Sequence, residues 1–417
     1  MTFIQRGYGL RLRYDKSAVS HWLKGSVPKV EARPAVAEAL GRLLGRPVTT
    51  AELGWGASAW PGTEPDVATG VMELSLADMD PSRRGVLGAG LYSATLLVPG
   101  FWELVGRAEA VRAGRAVRIG GGDVATVRRM TEKVAEILDE IGAGHARPMA
   151  AAFLANTVGP YLRASGPERV RRDMRAAAAD LVYLTGWMAM YEERQGLGQR
   201  YYLKALRLAG EAEDHVTYCR TLRGMSLQAS HLGYGPRALE LADGAAAAAP
   251  SAGPRLVAFL RGQQAHASAM VGDRRGALAR LGETEAALAR ADNRRDAVGG
   301  YDEAAYFFHE AHVRWCLGDG EGSVRSLRRS NAARAGEERE GRLHCLGVIA
   351  ERQFRMRHVQ AACGTWHTFL DAYLGLTSAR GDAHLATLLR ALPRYRTLPA
   401  ARHLEERARE VAALKAA

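Results

Sequence analysis

Ser17, Ala18, Ser20 and His21 place small and hydrogen-bonding side chains close together near the start of the chain, and Lys16 and Lys24 flank them. On a helix from Asp15 or Ser17 through Leu23, that face suits the base edges of a DNA groove. Val19, Trp22 and Leu23 fall on the opposite, apolar side. The lysines would meet phosphates, and backbone amides at the helix start would add to that grip. The chemistry expected here is recognition of double-stranded DNA.

Other constellations are weaker. His309, His312 and Cys316 share one face of a predicted helix, a geometry compatible with a transition metal. Glu310 completes a His-Glu-Ala-His string, but a zincin helix needs two residues between the glutamate and the second histidine. No fourth ligand is indicated, so packing is the ordinary reading and no metal or other cofactor is expected. Gly120-Gly121-Gly122-Asp123 precedes a helix without a strand before it, which reads as a linker and an N-cap rather than a phosphate cradle. The run Arg169, Arg171, Arg172 and Arg175 makes a basic helical face, ordinarily solvated or between domains. No pair of carboxylates is marked for acid–base work and no nucleophile has a base in context, so a non-enzymatic protein is expected.

The whole chain agrees with a nucleic-acid partner. Its 417 residues carry 57 Lys and Arg against 45 Asp and Glu, a formal net charge of +12. Residues 1–56 hold nine of those cations against four acids, so the surplus is densest there. Four separated cysteines with no CxxC pair argue for a reduced cytosolic protein. The letters Ser82-Arg83-Arg84-Gly85-Val86-Leu87 before an apolar run, Gly88 to Pro99, mimic a twin-arginine export signal. They lie too far along the chain, and the run is too short to span a bilayer. A cytoplasmic protein without a membrane span is expected.

These side chains need helices to hold them. Asp15 or Ser17 caps a first helix that Gly25 stops. A second runs from Pro34 to Leu44, with Val36, Leu40, Leu43 and Leu44 on one face, and Thr49 or Thr50 opens a short closing turn. Gly54 to Pro65 reads as a linker. From about Leu181, small residues recur at matching steps. The units are Gly186, Gly198, Tyr202, Ala205; Ser226, Ala238, Ala242, Ala245; Ala265, Ala277, Leu281, Thr284; His312, Val324, Arg328, Asn331; and Ala350, Ala362, Trp366, Phe369. Thin side chains belong where two helices of a hairpin touch, and hairpins that cannot bury an apolar face alone must stack. The expectation is an all-α chain: a helix-turn-helix segment over 1–56, a linker and helical connector over 57–122, and an α-solenoid over 123–417.

The repeating pattern resembles tetratricopeptide repeats, with the fourth unit departing at nearly every signature place. Val19-Ser20-His21-Trp22-Leu23-Lys24-Gly25-Ser26-Val27-Pro28 resembles the end of the recognition helix in Cro/repressor-like (XRE-type) helix-turn-helix domains. The combination, together with His145-Ala146-Arg147-Pro148 and Leu184-Thr185-Gly186-Trp187, is similar to actinobacterial regulators that join such a domain to a tetratricopeptide array. The resemblance implies a homodimeric transcriptional regulator of development or secondary metabolism. Its Lys16, Ser17, Ala18, Ser20, His21 and Lys24 would meet DNA. The family's domain carries two helices before the recognition helix. Only residues 1–14 precede Asp15 here, enough for a piece of the second helix, so a truncated domain is expected. In the repeat register, Tyr183, Trp187, Arg220, Arg223, His266, Tyr306 and His309 would line a concave groove for a peptide, a small molecule or a partner protein. The alternative is a scaffold or adaptor that acts through its repeats without touching DNA.

Overall fold

In the computed structural model the described residues are 2–4, 11–13, 16–29, 32–56, 66–79, 118–249, 253–291 and 301–416, with side chains from Ser17 onward. They are helical almost throughout. The exception is an antiparallel pair of short strands, β1 (Thr2–Ile4) and β2 (Arg11–Arg13), with Phe3 opposite Leu12. A hairpin therefore stands where a piece of helix was expected, in keeping with the strand preference of Thr, Phe and Ile. Most of the expected connector, including the twin-arginine stretch, lies outside the described residues. Among the described residues no helix is long and apolar enough to cross a membrane.

The chain divides into two units, Met1–Arg128 with Ala150–Arg237, and Arg129–Met149 with Ala238–Ala417. In chain order the first helices are α1 (Lys16–Leu23), α2 (Arg33–Leu44), α3 (Val67–Met79), α4 (Gly121–Ile141) and α5 (Ala143–Phe153). A π-turn (Leu154–Val158) leads into α6 (Gly159–Arg163), followed by α7 (Glu168–Tyr191), α8 (Gln195–Glu211), α9 (His215–His231) and α10 (Gly235–Ala247). In the first unit α7 and α8 form a hairpin against which α9 packs. The hairpin closes backbone to backbone: a β-carbon on Gly186 would sit 3.1 Å from the Gly198 carbonyl, and one on Gly198 would sit 3.0 Å from that of Gly186. The buried Tyr201 hydroxyl donates to Asp78 at 3.0 Å, fixing α3 on α8. The Gln228 amide donates to the Gln195 carbonyl at 2.8 Å, fixing α9.

The second unit continues with α11 (Pro254–Met270), α12 (Arg274–Ala289), α13 (Glu303–Cys316), α14 (Gly320–Ala333), α15 (Arg339–Arg355) and α16 (Val359–Tyr373). It ends with α17 (Ala379–Ala391), a 3-10 turn (Leu392–Tyr395) and α18 (Pro399–Ala416). The pairs α11/α12, α13/α14 and α15/α16 are hairpins. They stack through α11 on α13 and α14 on α15, and α17 and α18 close the stack on α15 and α16. Trp366, Phe369, Leu388 and Leu404 are fully buried at that closure.

One turn recurs through both units. Glu193, Gly233, Gly272, Gly318 and Arg357 all take left-handed φ, between 58° and 88°. In each case the next residue's N–H returns to a carbonyl five residues back: Arg194 to Ala189, Tyr234 to Ala229, Asp273 to Ser268, Asp319 to Arg314 and His358 to Gln353. This is the Schellman ending, in which one left-handed residue satisfies the last helical carbonyls. Asp273 and Asp319 then accept the N–H of Gly276 and Gly322, so the residue that ends one helix caps the next.

That turn sets the register of each hairpin. Five residues beyond the left-handed position stand Gly198, Ala238, Ala277, Ser323 and Ala362; twelve residues before those stand Gly186, Ser226, Ala265, Ala311 and Ala350. The fourth unit is therefore displaced by one residue from the expected His312, Val324, Arg328 and Asn331. Its inward set is Ala311, Ser323, Leu327 and Ser330, all fully buried, while Arg328 is exposed. In this register the fourth unit keeps the small inward residues of the other repeats.

Candidate functional site

The N-terminal segment offers the first surface. Ser17, Ser20 and His21 are exposed on α1, Lys24 is exposed in the turn after it, and Ala18 is half-buried. The Lys16 side chain lies outside the described residues. Gly25, at φ +99°, ends α1, with its N–H donated to the Trp22 carbonyl. The apolar side differs from expectation. Trp22 meets Trp55 edge-on at 6.3 Å, but Leu23 is 85% exposed. On α2, Leu43 and Leu44 are likewise exposed, and the buried face is carried by Ala35, Val36 and Ala39. The reason is local: both helices end at left-handed glycines, Gly25 and Gly45, and their last-turn leucines project beyond the packed part.

The segment is tied internally and to the rest of its unit. Arg33 donates to the carbonyls of Pro28 and Trp55, at 3.0 and 2.9 Å. The closing turn is a reciprocal cap: the Thr49 N–H donates to Glu52, and the Glu52 N–H donates to the Thr49 hydroxyl. Those bonds and Arg46 hold the Glu52 carboxyl below its ordinary range. Arg42 pairs with the buried Glu38 at 2.8 Å and lies 4.7 Å over the Tyr234 ring. Of the basic face on α7, Arg171 and Arg175 pair with Glu168, and Arg175 also with Glu211.

The residues expected to line a groove are mostly interior. Tyr183, Arg220 and Arg223 are buried in the first unit, and Trp187 is half-buried. The structure brings these together: Arg220 lies over Tyr183 at 5.2 Å and Arg223 over Trp187 at 5.8 Å, while Arg220 pairs with Asp180 at 3.0 Å. Burial, countered by Arg220, raises the Asp180 carboxyl. In the second unit His266, Tyr306 and His309 are also buried. His309 Nδ1 is 2.9 Å from the Tyr301 hydroxyl, and the two rings stack. Burial pushes the Tyr306 hydroxyl up to about 12. These side chains pack between helices. His312 Nδ1 lies 3.1 Å from Arg352, and Cys316 is exposed. Among the described residues no group of three or more ligating side chains is placed to hold a metal ion.

A half-buried ridge on the first helices of successive hairpins was not anticipated from the sequence. Phe308, His312 and Trp315 on α13 and His344 and Val348 on α15 are each partly exposed. Phe308 bridges the rings of His312 and His344, at 4.5 and 5.8 Å. His344 Nδ1 is 2.9 Å from His384 Nε2, and His384 Nδ1 is 2.7 Å from Glu351. With Glu351 ionised, His384 donates its Nδ1–H to that carboxylate. Arg352 is buried, and among the described residues no carboxylate is bonded to it. It donates to the Ala311 carbonyl and to Ser323 and lies 5.0 Å over Trp315, and desolvation lowers its pKa to about 10. The signal for it in the sequence is a histidine on each of the helices α13, α15 and α17.

Residues 5–56 match a family described as the SP15 N-terminal domain. No curated protein matches the chain.

Proposed function

We propose that this protein is an interaction scaffold whose stacked hairpins dock a partner protein. The observation that carries the reading is the partly exposed ridge of Phe308, His312, Trp315 and His344 on α13 and α15. Aromatic side chains fixed by their neighbours lose little entropy on binding and dominate interface energies. A photo-crosslinking side chain at Phe308 or His344 should capture one reproducible partner, and the same group at exposed Glu321 on α14 should not. Identical capture at both places would refute the reading.

A second reading concerns residues 1–56. The exposed Ser17, Ser20, His21 and Lys24 support DNA binding by α1, in a homodimeric regulator whose repeats sense a ligand. Fluorescence anisotropy with duplex DNA tests it. Affinity should fall steeply with salt, and exchanging Ser20 and His21 for alanine should erase sequence preference. DNA affinity unchanged by those substitutions leaves the scaffold as the sole function.

A further inference from the structure

The corrected register of the fourth hairpin turns Arg328 and Asn331 out of the α13/α14 contact and into a cleft of ≈ 530 Å³. Its walls are the outer face of α14, the middle of α15 and the first half of α16. The volume falls in the range of small-molecule sites. Leu346 and Ile349 of α15 and Ala361 of α16 make the floor apolar, and no carboxylate lines it.

Its polar lining is Arg328 and Asn331 of α14, Arg342 of α15, and Thr365 and Thr368 of α16. The Asn331 side-chain oxygen is buried beneath the cleft wall and has no hydrogen-bond partner among the described residues. Arg342 donates to the carbonyls of Asn331, Arg334 and Ala335 at 3.1–3.3 Å, which seats a guanidinium at the end of α14. Arg328 is exposed at the cleft and belongs to no ion pair described for this unit. The space itself comes from Gly364, where an added β-carbon would meet nothing within 4 Å. Glycine in the interior of a helix costs about 1 kcal/mol relative to alanine, and no close backbone approach requires it here.

We infer that the cleft between α14, α15 and α16 binds a small amphipathic organic anion. The anionic end pairs with Arg328, and the apolar body rests on Leu346, Ile349 and Ala361. The site is separate from the ridge on α13 and α15 and stands whether or not the scaffold reading holds.

The test uses the full chain and two fluorescent probes. Anilinonaphthalene sulfonate carries a sulfonate, an N–H donor and an aromatic body; phenylnaphthylamine has the same rings and N–H but no charge. The sulfonate should bind saturably at one site, and the neutral probe about tenfold more weakly, the worth of one charge-assisted contact. Gly364→Leu should abolish the site by filling it, while Gly282→Leu, also in open space but on α12, should bind as the wild type does. Arg328→Gln should weaken the sulfonate about tenfold and leave the neutral probe unchanged. Circular dichroism checks folding, and because Arg328 is exposed its variant keeps the test decisive if Gly364→Leu unfolds. Equal binding of the two probes, undiminished binding by Gly364→Leu, or no saturable site in the wild type would each overturn the inference.

Discussion

Gly198 provides the sharpest mechanical test of the hairpin geometry. A β-carbon there would lie 3.0 Å from the Gly186 carbonyl oxygen, 3.3 Å from the Gln228 side-chain nitrogen and 3.4 Å from the Met190 nitrogen. Two of those neighbours are backbone atoms of α7, which can retreat only if the hairpin opens. Alanine sets this crowding against the about 1 kcal/mol that a helical glycine gives up, so Gly198→Ala should be nearly neutral. Leucine adds an isobutyl group where no space exists, displacing Gln228 from its bond to Gln195 as well. Overpacking costs about 1–3 kcal/mol, and more against backbone; a lost buried hydrogen bond adds about 1 kcal/mol. After the propensity gain, Gly198→Leu should destabilise its unit by about 2–3 kcal/mol. For a unit of roughly 200 residues that is a fall of about 5–10 °C in Tm, read by calorimetry on the full chain. Gly282→Leu is the control: the same change in α12, with nothing within 4 Å, should hold or slightly raise the Tm. A Gly198→Leu protein melting within about a degree of the wild type, or a Gly282→Leu protein falling as far, would refute close backbone contact as the basis of the hairpin.

Three further outcomes follow from particular environments. Burial, with Glu338 and Glu340 nearby, raises the Asp139 carboxyl to about 7 against the pull of Arg334. The folded state thus holds its proton more tightly than the unfolded one, and stability should fall as pH rises from about 4 to 7. The side chain keeps part of its surface in water, which limits the effect to about 1 kcal/mol, and Asp139→Asn should flatten it in urea titrations across that window. Cys219, Cys345 and Cys363 are buried and Cys316 is exposed, with burial pushing the Cys219 thiol up to about 12. An Ellman titration should count one thiol in the native protein and four in denaturant; rapid reaction of a second would contradict the packing. Ser323→Leu should cost about 1–3 kcal/mol in thermal unfolding, whereas Arg328→Leu should stay within about 0.5 kcal/mol; the opposite order would restore the register displaced by one residue.

Much of the architecture could be read from residue order because it is locally encoded. Helix starts at Asp214, Asp273 and Asp319, left-handed stops at Gly25, Gly45 and Gly272, and thin residues such as Gly186 and Gly198 each act within a turn or a hairpin. The paired helices of the repeats and the exposed polar face of α1 follow from such neighbours. Even so, Leu23, Leu43 and Leu44 were expected inside by periodicity and lie outside. Periodicity states which residues share a face, but what covers that face depends on partners distant in the chain.

Three-dimensional packing settled the remainder. How deeply Tyr183, Arg220, His266 and His309 are buried depends on how closely adjacent helices approach, which no local spacing encodes. The ridge through Phe308, His312 and His344, and the cleft between α14, α15 and α16, each draw on helices from different hairpins. In the fourth unit one left-handed residue, Gly318, sets which side of α14 turns inward. A shift of one position rotates a helix by about 100°, so Arg328 and Asn331 pass from an apparent packing seam to the wall of a cavity. Composition and spacing could select helices and their caps; rotation about each axis was decided by the atoms each helix found opposite it.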